Sequence, residues 1–234
     1  MRIVVWKIFI CTQLLCNFNV FGQNMQIYPS IIGLREFDLP RVSSREWYEL
    51  IYSNDNYYID SIGNVNINNE DRARIYRFET DNGALIGTNN GEWGGQLIFK
   101  NNAYEYTILN ENICGIINFN DKIYVLTGLS HLGMSRGKIV KIEMINEKWE
   151  HTFFIGFDSS PEIFTIFENR LYIVTFNGLI VFDGNNIQQL LSRQFWSGLY
   201  PQSVYVNNYI IAIGMRGCIA IINKENYEVR CYRK

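Results

Sequence analysis

Phe119-Asn120-Asp121-Lys122-Ile123-Tyr124-Val125-Leu126 decides how this chain is read: an apolar residue, a polar turn, then an unbroken apolar run. The phrase recurs as Phe78-Glu79-Thr80-Asp81-Asn82-Gly83-Ala84-Leu85-Ile86, as Phe167-Glu168-Asn169-Arg170-Leu171-Tyr172-Ile173-Val174, and as Val206-Asn207-Asn208-Tyr209-Ile210-Ile211-Ala212-Ile213. From the leading Phe or Val of one copy to the next the spacings are 41, 48 and 39 residues. Asn, Asp and Gly tolerate the positive backbone angles of tight hairpins, so each phrase reads as the end of one strand, a turn and a second strand.

The second strands are apolar at consecutive positions, at Ile123–Leu126, Leu171–Val174 and Ile210–Ile213 alike. An antiparallel strand with one wet face should alternate apolar and polar residues, so these strands are dry on both faces. A period near 40 with sheets packed between sheets predicts a β-propeller of four-stranded antiparallel blades. The third unit parses as Ile163–Phe167, Arg170–Thr175, Leu179–Phe182 and Ile187–Leu191, and the fourth as Ser203–Val206, Tyr209–Ile213, Cys218–Ile222 and Tyr227–Tyr232. Within residues 23–72, the segments Trp47–Tyr52, Tyr57–Ile59 and Val65–Ile67 read as strands of a degenerate first blade. The expectation is one all-β domain, with four clear blades over 73–234 and a fifth, degenerate one; four blades with an N-terminal cap is the alternative. The repeats resemble generic bacterial β-propeller repeats over residues 73–234, without a WD, kelch or YWTD signature. The resemblance implies a fold and no activity.

Residues 1–22 read as a cleaved export signal. Arg2 and Lys7 flank a charged start, Ile8–Cys11 and Leu14–Cys16 carry the apolar stretch, and Val20-Phe21-Gly22 precedes the expected cut. Thr12, Gln13, Asn17 and Asn19 leave that stretch too polar to span a bilayer. A lipid anchor on Cys16 is the rival, disfavoured by the large Leu15 before it. The expected location is the periplasm, the cell envelope or the exterior. Removing Arg2 and Lys7 leaves 19 basic residues against 23 acidic ones. Mild acidity argues against nucleic acid as partner. The composition, 47% hydrophobic and 15% aromatic, excludes a disordered chain.

Export would leave Cys114, Cys218 and Cys231. If Lys224-Glu225 is a two-residue turn, Cys218 faces Cys231 across the last hairpin, a candidate disulfide against the alternative of two half-buried thiols. Cys114 reads as a core residue. No C-x-x-C spacing occurs and the two histidines, His131 and His151, are isolated, so neither a metal nor another cofactor is implied. No Asn-x-Ser/Thr sequon occurs, which favours a bacterial exported protein.

Alternate loops of antiparallel strands point to opposite ends. Loops joining first to second and third to fourth strands are minimal turns. The opposite end collects Gly91-Glu92-Trp93-Gly94-Gly95, the stretch Gly128 to Gly137, Asp158-Ser159-Ser160-Pro161-Glu162, Phe195 to Pro201, and Gly214-Met215-Arg216-Gly217. The glycines also suit tight turns, Pro161 and Pro201 suit corners between blades, and Trp93, Trp196 and Tyr200 could cap the core. As one surface, Glu92, Trp93, His131, Arg136, Trp196, Tyr200 and Arg216 make a candidate binding face for a protein or glycan. The expected function is non-catalytic binding outside the cytoplasm, a toxin-neutralising immunity protein being one version. The alternative is a glycoside hydrolase or lyase using Glu92, Asp158 and Glu162 with His131; paired carboxyls about 5–9.5 Å apart would be needed. A third reading, a passive module of a larger assembly, would show apolar area on outer strands.

Overall fold

A computed structural model describes residues 31, 33–70, 75–192 and 196–234. The expected export signal, residues 71–72 of the N-terminal segment and Phe195 lie outside the described residues.

The chain opens with β1 (Arg35–Phe37) and α1 (Arg45–Ile51), then a two-stranded sheet of β2 (Asn56–Ile59) and β3 (Val65–Asn68). A second sheet follows in the order β4 (Ile75–Thr80), β5 (Gly83–Thr88), β6 (Leu97–Lys100), β7 (Glu105–Leu109). The third runs β8 (Ile113–Phe119), β9 (Lys122–His131), β10 (Met134–Ile145), β11 (Lys148–Phe157). The fourth is β12 (Pro161–Phe167), β13 (Arg170–Thr175), β14 (Gly178–Phe182), β15 (Ile187–Ser192). The last comprises β16 (Ser203–Val206), β17 (Ile210–Gly214), β18 (Ile219–Asn223) and β19 (Val229–Arg233), and β1 adds to its outer edge beside β19. All pairings are antiparallel. The protein is therefore all-β in several four-stranded meanders, with one short helix among the described residues.

Repeat turns form as their residues require. Asn120-Asp121, Asn146-Glu147 and Glu168-Asn169 each place both residues at positive φ, between 48° and 66°, the geometry of two-residue hairpin loops whose twist matches the strands. The apolar runs are dry on both faces: β14 and β17 are buried at every position, and β13 at every position after Arg170. Their side chains face neighbouring sheets. Phe119, Tyr124, Leu171, Ile173 and Phe182 share one cluster between the third and fourth sheets; Val174, Leu179, Ile211, Ile213 and Ala220 share another between the fourth and fifth. First strands stand beside first strands, β4 against β8, β8 against β12, β12 against β16 and β16 against β2.

Two local expectations are corrected. Trp47–Tyr52 is not a strand: Ser44 caps a helix by accepting the amide of Trp47 at 3.2 Å, and Trp47 and Leu50, three apart, bury one face. Its aromatic, β-favouring composition masked that spacing. In the last hairpin the turn is longer than two residues. Asn223 N donates to Glu228 O at 2.9 Å and Tyr227 takes φ 58°, so Cys231 pairs with Ala220 instead of Cys218. Cys218, Cys231 and Cys114 are buried thiols, none of them in a disulfide. Among the described residues no helix is long and apolar enough to cross a membrane.

Candidate functional site

The link from β5 to β6 carries a short 3-10 turn, Gly91–Trp93, pinned by a buried amide. Asn112 accepts from Asn90 N at 3.1 Å and donates from Nδ2 to Gly91 O at 2.6 Å. Gly91 and Gly94 sit at φ 62° and 81°, and a Cβ on Gly95 would stand 2.2 Å from Thr88 O, so these glycines are required by the backbone. The rigid turn holds Trp93 out into solvent, 85% exposed.

Beside it the β9–β10 hairpin ends at Leu132-Gly133, with φ 50° and 79°. The first turn residue here is Leu where the β8–β9, β10–β11 and β12–β13 hairpins use Asn120, Asn146 and Glu168. Leu132 is 86% and Met134 72% exposed. His131 Nε2 lies 3.1 Å from Glu92 Oε2, tying the hairpin to the 3-10 turn. Arg136 of β10 and Glu92 border a cavity of about 510 Å³ whose wall also holds Glu111 and Lys138. Glu111 is committed there, accepting from Lys138 Nζ at 2.6 Å and from the buried Thr127 hydroxyl at 2.8 Å.

A second cavity, about 400 Å³, adjoins the first through Gly91, Gly128 and Leu129. Glu162, Gln202, Arg216, Tyr76, Phe176 and Tyr200 are in its wall with Gly128, Leu129 and Ser130 of β9, so strands or connecting loops of all four larger sheets meet there. The Arg216 guanidinium carbon sits 4.6 Å from the Tyr200 ring centroid, and its Nη1 donates to Ile51 O at 3.3 Å. Gln202 accepts the Tyr58 hydroxyl proton at 3.2 Å.

The structure thus brings Glu92 to His131 and Tyr200 to Arg216, and sets Arg136 in the same cavity wall as Glu92. Trp196 is corrected: it is fully buried, and its indole Nε1 donates to Thr175 O at 2.9 Å, so it plugs the core and can meet no partner. The candidate carboxyls divide among surroundings: Glu92 lines the first cavity and faces His131, Glu162 lines the second, and the exposed Asp158 lines neither. Leu132, Met134, Tyr76 and Gln202 were missed as site residues. For Leu132 a signal existed, an apolar residue at the first position of a two-residue turn.

No protein-family model and no curated protein matches this chain. Among solved structures, a chain of an S. cerevisiae assembly containing dbp5, nup159 and gle1 matches with TM-score 0.27 and 10% identity, covering 77% of this chain and 60% of that one. The extracellular domain of a hybrid two-component system from B. thetaiotaomicron matches with TM-score 0.31 and 14% identity, covering 84% of this chain and 39% of that one. The chain spans less than two thirds of the length of either.

Proposed function

We propose that this protein is an exported, non-catalytic binding module, a five-bladed β-propeller that holds a protein partner on the loop end around Glu92, Trp93, His131, Arg136, Tyr200 and Arg216. The succession of first strands β4, β8, β12, β16 and β2 supports five blades around one axis, the two-stranded sheet being the degenerate blade.

One observation carries the binding reading. Among the described residues, five large apolar side chains are more than 70% exposed. Trp93 follows Glu92 of the first cavity wall, and Leu132 and Met134 belong to the hairpin that His131 ties to Glu92. Tyr52 follows Ile51, whose carbonyl accepts from Arg216, and Ile62 is in the β2–β3 turn. Apolar side chains held out by pinned backbone, with His131–Glu92 and Arg216–Tyr200 between them, make an apolar and aromatic surface interleaved with charge, the composition of protein interfaces. A hydrolase or lyase, the other reading, needs paired carboxyls, and Glu92, Asp158 and Glu162 are set in three different surroundings.

Photocrosslinking in the source cells tests the reading, with the probe at Leu132 or, as control, at Asn186 in a turn of the other end. Partner adducts should arise from Leu132 alone. For that partner, replacing Trp93 and Arg216 together by Ala should weaken binding by about 30-fold or more. Unchanged affinity in the double variant would refute the face assignment.

A further inference from the structure

The second cavity differs in chemistry from the apolar rim. Its polar side chains are placed by the sheets themselves. At the start of β12, Pro161 pairs with Thr175 and Ile163 with Val174, which leaves Glu162 as the extra residue of a β-bulge. The start of β8 repeats the device: Ile113 pairs with Thr127 and Gly115 with Leu126, leaving Cys114. Gln202 occupies the matching place before β16, its N–H on Gly214 O at 2.7 Å while Ser203 pairs with the same Gly214. A bulge re-aims the side chain it releases, and bulges gather beside binding sites. Glu162 and Gln202 lie in the cavity wall, and the Cys114 thiol reaches Asn89 of that wall at 3.5 Å.

Tyr200 is a second departure from ordinary backbone. It holds φ 48°, a left-handed region unfavourable for a bulky residue and one that tends to persist where function uses the result. The strained residue supports Arg216 at the cavity mouth and remains 46% exposed.

We infer that this cavity is a binding site for a neutral saccharide, with Glu162, Gln202 and Arg216 bonding ring hydroxyls and Tyr200 offering an aromatic platform. Glu162 and Arg216 are the charged members of the wall and oppose each other in sign, so a ligand of either net charge gains little. Asn89, Ser130, Ser160 and Gln202 supply both donors and acceptors, which a polyol can meet and a simple ion cannot. Aromatic rings accept the C–H faces of sugar rings, and the volume of about 400 Å³ is that of a small-molecule pocket. The inference shares its end of the molecule with the binding module proposed above, but requires no protein partner.

Calorimetric titration of the full chain with a panel of neutral mono- and disaccharides tests it, using diglycine and inorganic phosphate as charged probes. At least one neutral saccharide should bind. Glu162→Gln should weaken it about tenfold by removing a charge-assisted hydrogen bond. Tyr200→Asn, where Asn tolerates the left-handed backbone, should weaken it similarly with the thermal midpoint held or raised. Asn186→Ala, in a turn of the other end, should leave it unchanged. The inference is overturned if no saccharide in the panel binds, if only the charged probes bind, or if both site variants bind as the wild type does. Saccharide binding with failed crosslinking from Leu132 would sink the protein-partner reading alone; crosslinking without saccharide binding would sink this one alone.

Discussion

Replacing Trp196 by Ala should destabilise the protein by about 3–5 kcal/mol. The indole is fully buried, in a cluster with Leu50, Val174, Leu179, Leu199 and Met215. A Trp buries about 200 Å² on folding, and at about 25 cal/mol per Å² that area corresponds to about 5 kcal/mol, consistent with the range for large-to-small core changes. The Nε1–Thr175 O bond is lost as well, leaving a buried carbonyl without that donor. Trp196→Phe separates the two effects: it keeps most of the apolar area and should cost about 1–3 kcal/mol. Urea unfolding followed by far-ultraviolet circular dichroism measures both without relying on the removed fluorophore. At about 2–4 °C per kcal/mol for a chain of this size, Trp196→Ala should lower the melting midpoint by about 6–20 °C. Trp93→Ala, at an exposed site, should fall within about 0.5 kcal/mol of wild type. A loss below about 1 kcal/mol for Trp196→Ala would refute the core-plug assignment and restore the residue to the binding surface.

Leu132→Asn should stabilise the fold by about 0.5–1 kcal/mol, because Asn accepts the left-handed turn conformation and removes an exposed apolar side chain, while weakening partner binding; lower stability by urea titration would contradict the turn geometry. Asp183 is held below the usual carboxylate range by the N–H groups of Asn186 and Asn185, and Asp60 by the backbone and side chain of Asn64. A depressed folded pKa stabilises above the unfolded value, near 4, and the contribution is lost as pH falls through the folded one. Asp60→Asn with Asp183→Asn should therefore flatten the acid limb of the stability–pH curve, and an unchanged limb would count against those turn bonds. Burial pushes the Cys218 thiol up to about 12 and raises that of Cys231 also. Both should resist iodoacetamide at pH 8 in the native protein and react in denaturant; mass spectrometry showing a Cys218–Cys231 bridge would refute the hairpin register.

Much of the fold was legible because it is written locally. Turn residues that accept positive φ, followed by runs dry on both faces, placed the strands of the fourth sheet within two residues of their observed bounds. The site was legible only in part. Alternation of loops put Glu92, Trp93, His131, Arg136, Tyr200 and Arg216 at one end, where the contacts His131–Glu92 and Arg216–Tyr200 now join them. The same rule included Trp196, since strand polarity says which end a loop occupies and nothing about whether its side chain turns inward.

The amino-acid sequence by itself determined the meanders, their period and the end on which unusual loops gather, all consequences of hairpin chemistry and side-chain alternation over a few residues. Tertiary structure alone decided the rest. It paired β1 with β19 across some 196 positions (Glu36 to Tyr232), made Trp47–Ile51 helical against the core, set Cys231 opposite Ala220, and drew Glu162, Gln202 and Arg216 into one cavity. Those outcomes depend on which surfaces meet when separate sheets pack, and residues far apart in the chain carry no local mark of that meeting.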